Sequence, residues 1–163
     1  MRFIIYVITY PFLWCISVLP FPILYLFSDF SYLIIYYGIG YRKKTVRENL
    51  ALTLPNLSEK ERLVIEKESF HHLCDMFLEM IKTMSISKKE MSNRFVFTNL
   101  EVYKNLEAKQ KSIAIMMAHY ASYEWAISIN SFVSFDAYGI YKKIYNPYFD
   151  KLVRNIRLKF KAK

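Results

Sequence analysis

The sequence predicts an α/β protein in which apolar membrane helices come first, more helices follow, and the first part of a sheet closes the chain. Three observations predict it. Residues 3–28 hold no charged side chain, and neither do residues 30–41, so two apolar runs flank Asp29. Serines followed three positions later by glutamate mark helix starts in the middle of the chain. From residue 95 onward short apolar runs alternate with helical segments, the pattern of strands and helices in turn.

The apolar start is longer than the ~18 uncharged residues that mark a membrane segment. Residues 4–19 read as one helix. Pro20-Phe21-Pro22 breaks it, because proline removes a donor and restricts the residue before it. Residues 23–39 read as a second helix, with Asp29 and Ser31 as polar interruptions and Gly38 and Gly40 loosening its end. A spanning helix plus a membrane-surface helix, or a hairpin dipping into one leaflet, both fit. A short Met1-Arg2 leader, a long apolar run and no small-x-small site favour a retained anchor over a cleaved signal.

Charge divides sharply. The chain carries 23 bases and 14 acids, a net +9. Arg2 and Asp29 are the charged residues of positions 1–41 and cancel, so the whole excess lies in residues 42–163. A basic region behind an apolar anchor suits an anionic membrane surface, an acidic protein or nucleic acid; no nucleic-acid motif accompanies it. Arg42, Lys43, Lys44 and Arg47 follow the anchor while Arg2 alone precedes it, which places the C-terminal region on the cytoplasmic side. Two cysteines, Cys15 and Cys74, suggest neither a disulfide framework nor a metal site.

The remaining elements follow in order. Residues 41–52 form a basic helical segment and Pro55-Asn56 a turn. Ser58 and Glu61 start a helix to about residue 84, with Leu63, Phe70, Leu73, Phe77, Met80 and Ile81 near helical spacing. Ser87 and Glu90 start a short one. Strands are expected at 95–97, 112–117 and 135–141, and helices at 100–109, at 122–132 and from Asn146-Pro147, where proline suits the first turn. The expected division is a membrane anchor (1–41), a basic helical segment (42–94) and an α/β region (95–163).

His119 follows the apolar run 112–117, and Glu124 lies in the first turn of the next expected helix. In open sheets, ligands gather beyond the C-terminal ends of strands. A histidine there can take a proton from a hydroxyl, and a neighbouring carboxylate can hold its tautomer and stabilise its charged form. The spacing alone is unspecific, because composition yields roughly 0.26 such pairs by chance.

Four blocks make it specific. Residues 41–50, with Arg42, Arg47, Asn49 and Leu50, resemble the basic "R…V..NL" segment of the lipid A late acyltransferases. Leu54-Pro55-Asn56-Leu57-Ser58 is similar to the proline turn after it. Residues 113–125, Ile-Ala-Ile-Met-Met-Ala-His-Tyr-Ala-Ser-Tyr-Glu-Trp, resemble the family's strand ending in "H-x-G-N-W-E". Asn146, Pro147, Asp150 and Arg157 resemble its "NP..D…R" helix. The resemblance spans nearly the whole chain, with Ala121-Ser122 standing where the family has Gly-Asn and Tyr123 where it has tryptophan.

The resemblance implies an acyltransferase-type α/β sheet and an O-acyltransferase. A fatty acyl chain would move from acyl carrier protein to a hydroxyl of a lipid A precursor at the bacterial inner membrane, on its cytoplasmic side. His119 would be the general base and Glu124 its orienting partner. Arg157, with Arg154 as second choice, would contact a phosphate or the reacting oxygen. No metal or cofactor is implied beyond the carrier-protein thioester; the implied partners are acyl carrier protein, the precursor and membrane lipids, not nucleic acid. Lys142 and Lys143 read first as a solvated basic face, with attraction of the acidic carrier protein as the alternative. Another lysolipid or aminolipid acceptor fits the same residues. Family members run to roughly twice this length, and the resemblance stops after Arg157. A truncated member with an incomplete sheet is therefore expected, and an inactive membrane-bound remnant is the alternative.

Overall fold

Seven α-helices, with one π-helical and one 3-10 segment between them, organise the described residues, 2–136 and 138–160, of the computed structural model. The helices fall where caps and periodicity place them. α1 (Arg2–Val18) runs through Pro11, and the break comes at Pro20, which stands at the N-cap of α2 (Phe21–Leu33). α2 continues as π-helical turns over Ile34–Ile39. Gly40 ends them at φ +67°, a left-handed conformation that glycine adopts without steric cost, and the amides of Gly40 and Tyr41 reach back to the Ile35 carbonyl at 3.0 and 3.3 Å.

α3 (Lys43–Thr53) and α4 (Glu59–Lys82) follow. The Ser58–Glu61 pattern forms a reciprocal capping box: the Ser58 amide donates to the Glu61 carboxylate at 2.7 Å and the Glu61 amide to Ser58 Oγ at 3.3 Å. Ser87 caps α5 (Lys88–Arg94) by accepting from the Glu90 amide at 3.1 Å. α6 covers Leu100–Ala108, a 3-10 helix Tyr123–Ser131, and α7 Pro147–Leu158.

Two compact units result. In Leu19–Glu79, one stripe of α4 is buried: Glu66, Phe70, Cys74 and Leu78, each four residues after the last. Phe21, Leu24 and Tyr36 bury the matching face of the apolar helix, and the Tyr36 ring meets Phe70 edge-on at 5.3 Å. The Glu66 carboxylate, 1% exposed, is fully occupied there. It accepts from Arg47 Nε at 2.8 Å, from Arg47 Nη2 at 3.2 Å and from the Tyr36 hydroxyl at 2.9 Å. A buried carboxylate is tolerated only when paired in this way.

The other unit comprises Met1–Val18 and Met80–Lys163. Its core includes Ile16, Ile86, Met91, Trp125, Ile129, Leu152, Ile156 and Phe160. α1 lies against the start of α7 through Tyr6 stacked on Tyr148, with ring centroids 5.6 Å apart. At its other end the Ser17 carbonyl accepts from Ser85.

The expected acyltransferase-type α/β sheet is not formed: the described residues contain no strand. At 95–97 the phenylalanines join a ring cluster, Phe95–Phe97 at 5.2 Å and Phe97–Phe132 at 5.8 Å. Residues 112–117 run outside any helix, and Met116 is 95% exposed. The candidate at 135–141 is likewise unpaired where described, Ala137 lying outside the described residues. The physical reason is that a strand is half of a ladder. Apolar and β-branched content suits a segment to the pleat but supplies no partner for its amides and carbonyls. Among the described residues, none of the three candidates pairs with another. The architecture is therefore helical, and the corner that was to follow a strand follows an irregular, exposed run.

Candidate active site

Two local structures build the site, both in the unit containing Met80–Lys163. The first is the turn entering the 3-10 helix. Ala121 takes φ +49°, and the Tyr123 and Trp125 amides close on the Ala121 and Ser122 carbonyls, each at 2.9 Å. A left-handed residue is needed to make this bend, which explains a glycine at the matching position of the resembled motif. Trp125 is then buried, and its indole N–H donates to Thr83 Oγ1 at 2.9 Å. With Trp125 held inward, its neighbour Glu124 is held at the side of the helix.

The second is the start of α7. Asn146 caps it by accepting from the Tyr148 amide at 3.0 Å, and Pro147 fills the first helical position, where no amide hydrogen is needed. Asp150, buried, accepts from the Ile144 amide at 2.8 Å and ties the incoming chain to the helix. Leu152, Ile156 and Phe160 bury the core face. Arg157 lies beside that face, half-buried, and Arg154, one turn earlier, is exposed.

These two structures join Glu124 to Arg157. Arg157 Nη2 donates to Glu124 Oε1 at 2.6 Å and Nε to Oε2 at 3.1 Å, a two-pronged pair whose side chains are 13% and 28% exposed. The hydrogen bonds to Glu124 raise the Arg157 pKa above its ordinary value, keeping the guanidinium charged. Its planar group also lies 5.1 Å from the centre of the Tyr141 ring.

His119 is exposed and packs on Tyr123, their ring centroids 4.3 Å apart. Burial, with the Glu124 charge adding to it, pushes the Tyr123 hydroxyl pKa up. No hydrogen bond joins His119 to Glu124 among the described residues: the glutamate faces the guanidinium, while the histidine contacts the tyrosine between them in sequence. Arg154 is not brought to the pair. Lys142 and Lys143 are exposed on the segment leading to α7.

Sequence reasoning missed three contributors. Asp150 had a signal, because an acid three residues beyond a helix-opening Asn-Pro can bond back to the preceding chain. Tyr123 had one as well, because it stands at the aromatic position of the resembled motif, whereas Tyr141 had none, since only the fold brings its ring to Arg157. Among the described residues, no group of three or more His, Cys, Asp or Glu side chains is arranged to hold a metal ion.

His119 is open to solvent, and the Glu124–Arg157 pair is fixed by two hydrogen bonds. The chain belongs to the bacterial lipid A biosynthesis acyltransferase family, whose model matches residues 1–163. It is thus placed among the acyltransferases of lipid A biosynthesis. No curated protein and no solved structure matches it.

Proposed function

We propose that the chain transfers a fatty acyl group from an acyl carrier protein thioester to a hydroxyl of a lipid A precursor, at the cytoplasmic face of the inner membrane. The family match over the whole chain carries this reading. His119 takes the hydroxyl proton as the oxygen attacks the thioester carbonyl. Negative charge grows on that carbonyl oxygen, and Arg157 is the cation held ready for it or for an acceptor phosphate. Glu124 fixes the guanidinium by both its oxygens. When the carbon–sulfur bond breaks, the proton passes from His119 to the departing thiolate, so no proton is gained or lost. Arg154 serves as an outer cation for the acceptor. Lys142 and Lys143, both exposed, suit the acidic carrier protein. The thioester supplies the acyl group, and no further cofactor enters the scheme.

The test uses membranes containing the chain, radiolabelled acyl carrier protein thioester and lipid A precursors, with lysophospholipid and aminolipid acceptors in parallel. Transfer to the precursor that disappears in H119A supports the reading; transfer unchanged in H119A removes His119 from it.

One observation favours a second reading, an inactive membrane-bound protein. His119 and the neighbouring Met116 and Met117 are exposed, so water reaches the base freely. That reading predicts no labelled lipid with any acceptor, although the chain is folded in the membrane.

A further inference from the structure

We propose that the apolar segment Phe21–Ile39 lies along the surface of one anionic membrane leaflet, in the boundary between headgroups and acyl chains, and does not cross the bilayer. By length and composition it is able to cross. What it is attached to argues otherwise. Three side-chain bridges bind it to α4 in antiparallel order: Tyr25 donates to Glu79 at 2.7 Å, Asp29 meets His71 at 2.6 Å, and Tyr36 donates to Glu66 at 2.9 Å. From Tyr25 to Tyr36 the attachment covers about 16 Å of helix. Within the attached stretch, α4 presents exposed Lys67 and Glu68 elsewhere on its surface. A bilayer-crossing helix would carry those charges into hydrocarbon, where charged side chains are strongly disfavoured.

The free face of the segment matches a different placement. Ile23, Leu26, Phe30, Leu33 and Tyr37 are spaced by three and four residues, and each is at least half exposed. At the end of this stripe stand exposed Arg42 and Lys44, and Tyr37 and Tyr41 supply interfacial aromatics. Lys43 is held over the Tyr36 ring at 3.7 Å, and Arg47 is held by Glu66. An apolar stripe bordered by fixed and exposed cations is complementary to an anionic phospholipid surface, whose headgroups take the bases while its acyl chains take the stripe.

The test measures depth, so its outcome is independent of whether acyl transfer occurs. Full-length chains with one fluorophore each, placed through I23C, L26C, F30C or L33C in a C15S/C74S background, are bound to phosphatidylethanolamine–phosphatidylglycerol vesicles. Quenching by lipids spin-labelled at different depths locates each position. The four labels are expected within about 5 Å of one depth, with a K67C label left in water. A crossing helix would spread positions 23 to 33 over as much as ~15 Å, and a spread above roughly 10 Å overturns the proposal. Labels that no lipid quencher reaches also overturn it, because a protein would then cover the stripe. Should the cysteine-free background not fold, single L26W, F30W and L33W substitutions in the otherwise native chain, read as differences from the parent with brominated lipids, give the same depth profile.

Discussion

Removing Glu124 tests the site most directly, since His119 and Arg157 compete as its working partner. Two charge-assisted hydrogen bonds, each worth ~1.5–3 kcal/mol when buried, connect Glu124 to Arg157 at 2.6 and 3.1 Å. The side chains keep 13% and 28% of their exposure, so solvent screening reduces the sum. A coupling of about 1.5–3 kcal/mol remains after a discount of roughly half. The perturbation is the cycle E124Q, R157M and E124Q/R157M, beside a second cycle pairing E124Q with H119A. The assay is denaturant unfolding in detergent, followed through the fluorescence of Trp125, one residue from Glu124. The first cycle should show that coupling and the second should be additive within about 0.5 kcal/mol. Additivity of Glu124 with Arg157, or an equal coupling of Glu124 with His119, would refute the pairing. In an active preparation the same loss, at 1.4 kcal/mol per decade, corresponds to roughly 10–100-fold in transfer rate if Arg157 acts in the transition state.

Other expectations follow from single features. H119A should lower acyl transfer by about 10²–10⁴-fold while moving stability by less than ~0.5 kcal/mol, because the exposed ring contacts Tyr123 alone among the described contacts; a large loss of stability would mean a packing role. A121G should raise Tm by about 2–4 °C, since φ +49° costs alanine ~1–2 kcal/mol and glycine gives back part of that gain as chain entropy. D150A should cost about 1–2 kcal/mol by freeing the Ile144 amide, with D150N recovering part of it. Burial pushes the Glu66 pKa up, but the hydrogen bonds from Arg47 and Tyr36 outweigh it and hold the carboxyl below its ordinary value. With a depressed folded pKa, its contribution is present above the ordinary value of 4.5 and lost as pH falls through the folded value. A Tm-against-pH series should therefore show E66Q below the parent at neutral pH and the two converging in acid.

Local chemistry was legible wherever a few neighbouring residues decide the outcome. Pro20, the Ser58–Glu61 box, Ser87 and Asn146-Pro147 set helix ends through their own amides and side chains, so those ends were readable in advance. The four motif blocks identified the family, because the order of residue types is itself a property of sequence. Pairing across distance was not readable. Residues 112–117 have the composition of a buried strand, but a strand exists only with a partner, and all of these residues but half-buried Ile113 stay exposed. Glu124 sits five positions after His119 and 33 before Arg157, yet the turn at Ala121 and the cap at Asn146 give its carboxylate to the arginine. The same division holds in the anchor: composition makes Phe21–Ile39 apolar enough for a membrane, while its attachment to α4 through Tyr25, Asp29 and Tyr36 is a property of the fold. Sequence determined which groups are present and which helices form, because both depend on near neighbours. Tertiary structure decided which carboxylate meets which cation, because that depends on where separate helices come to rest.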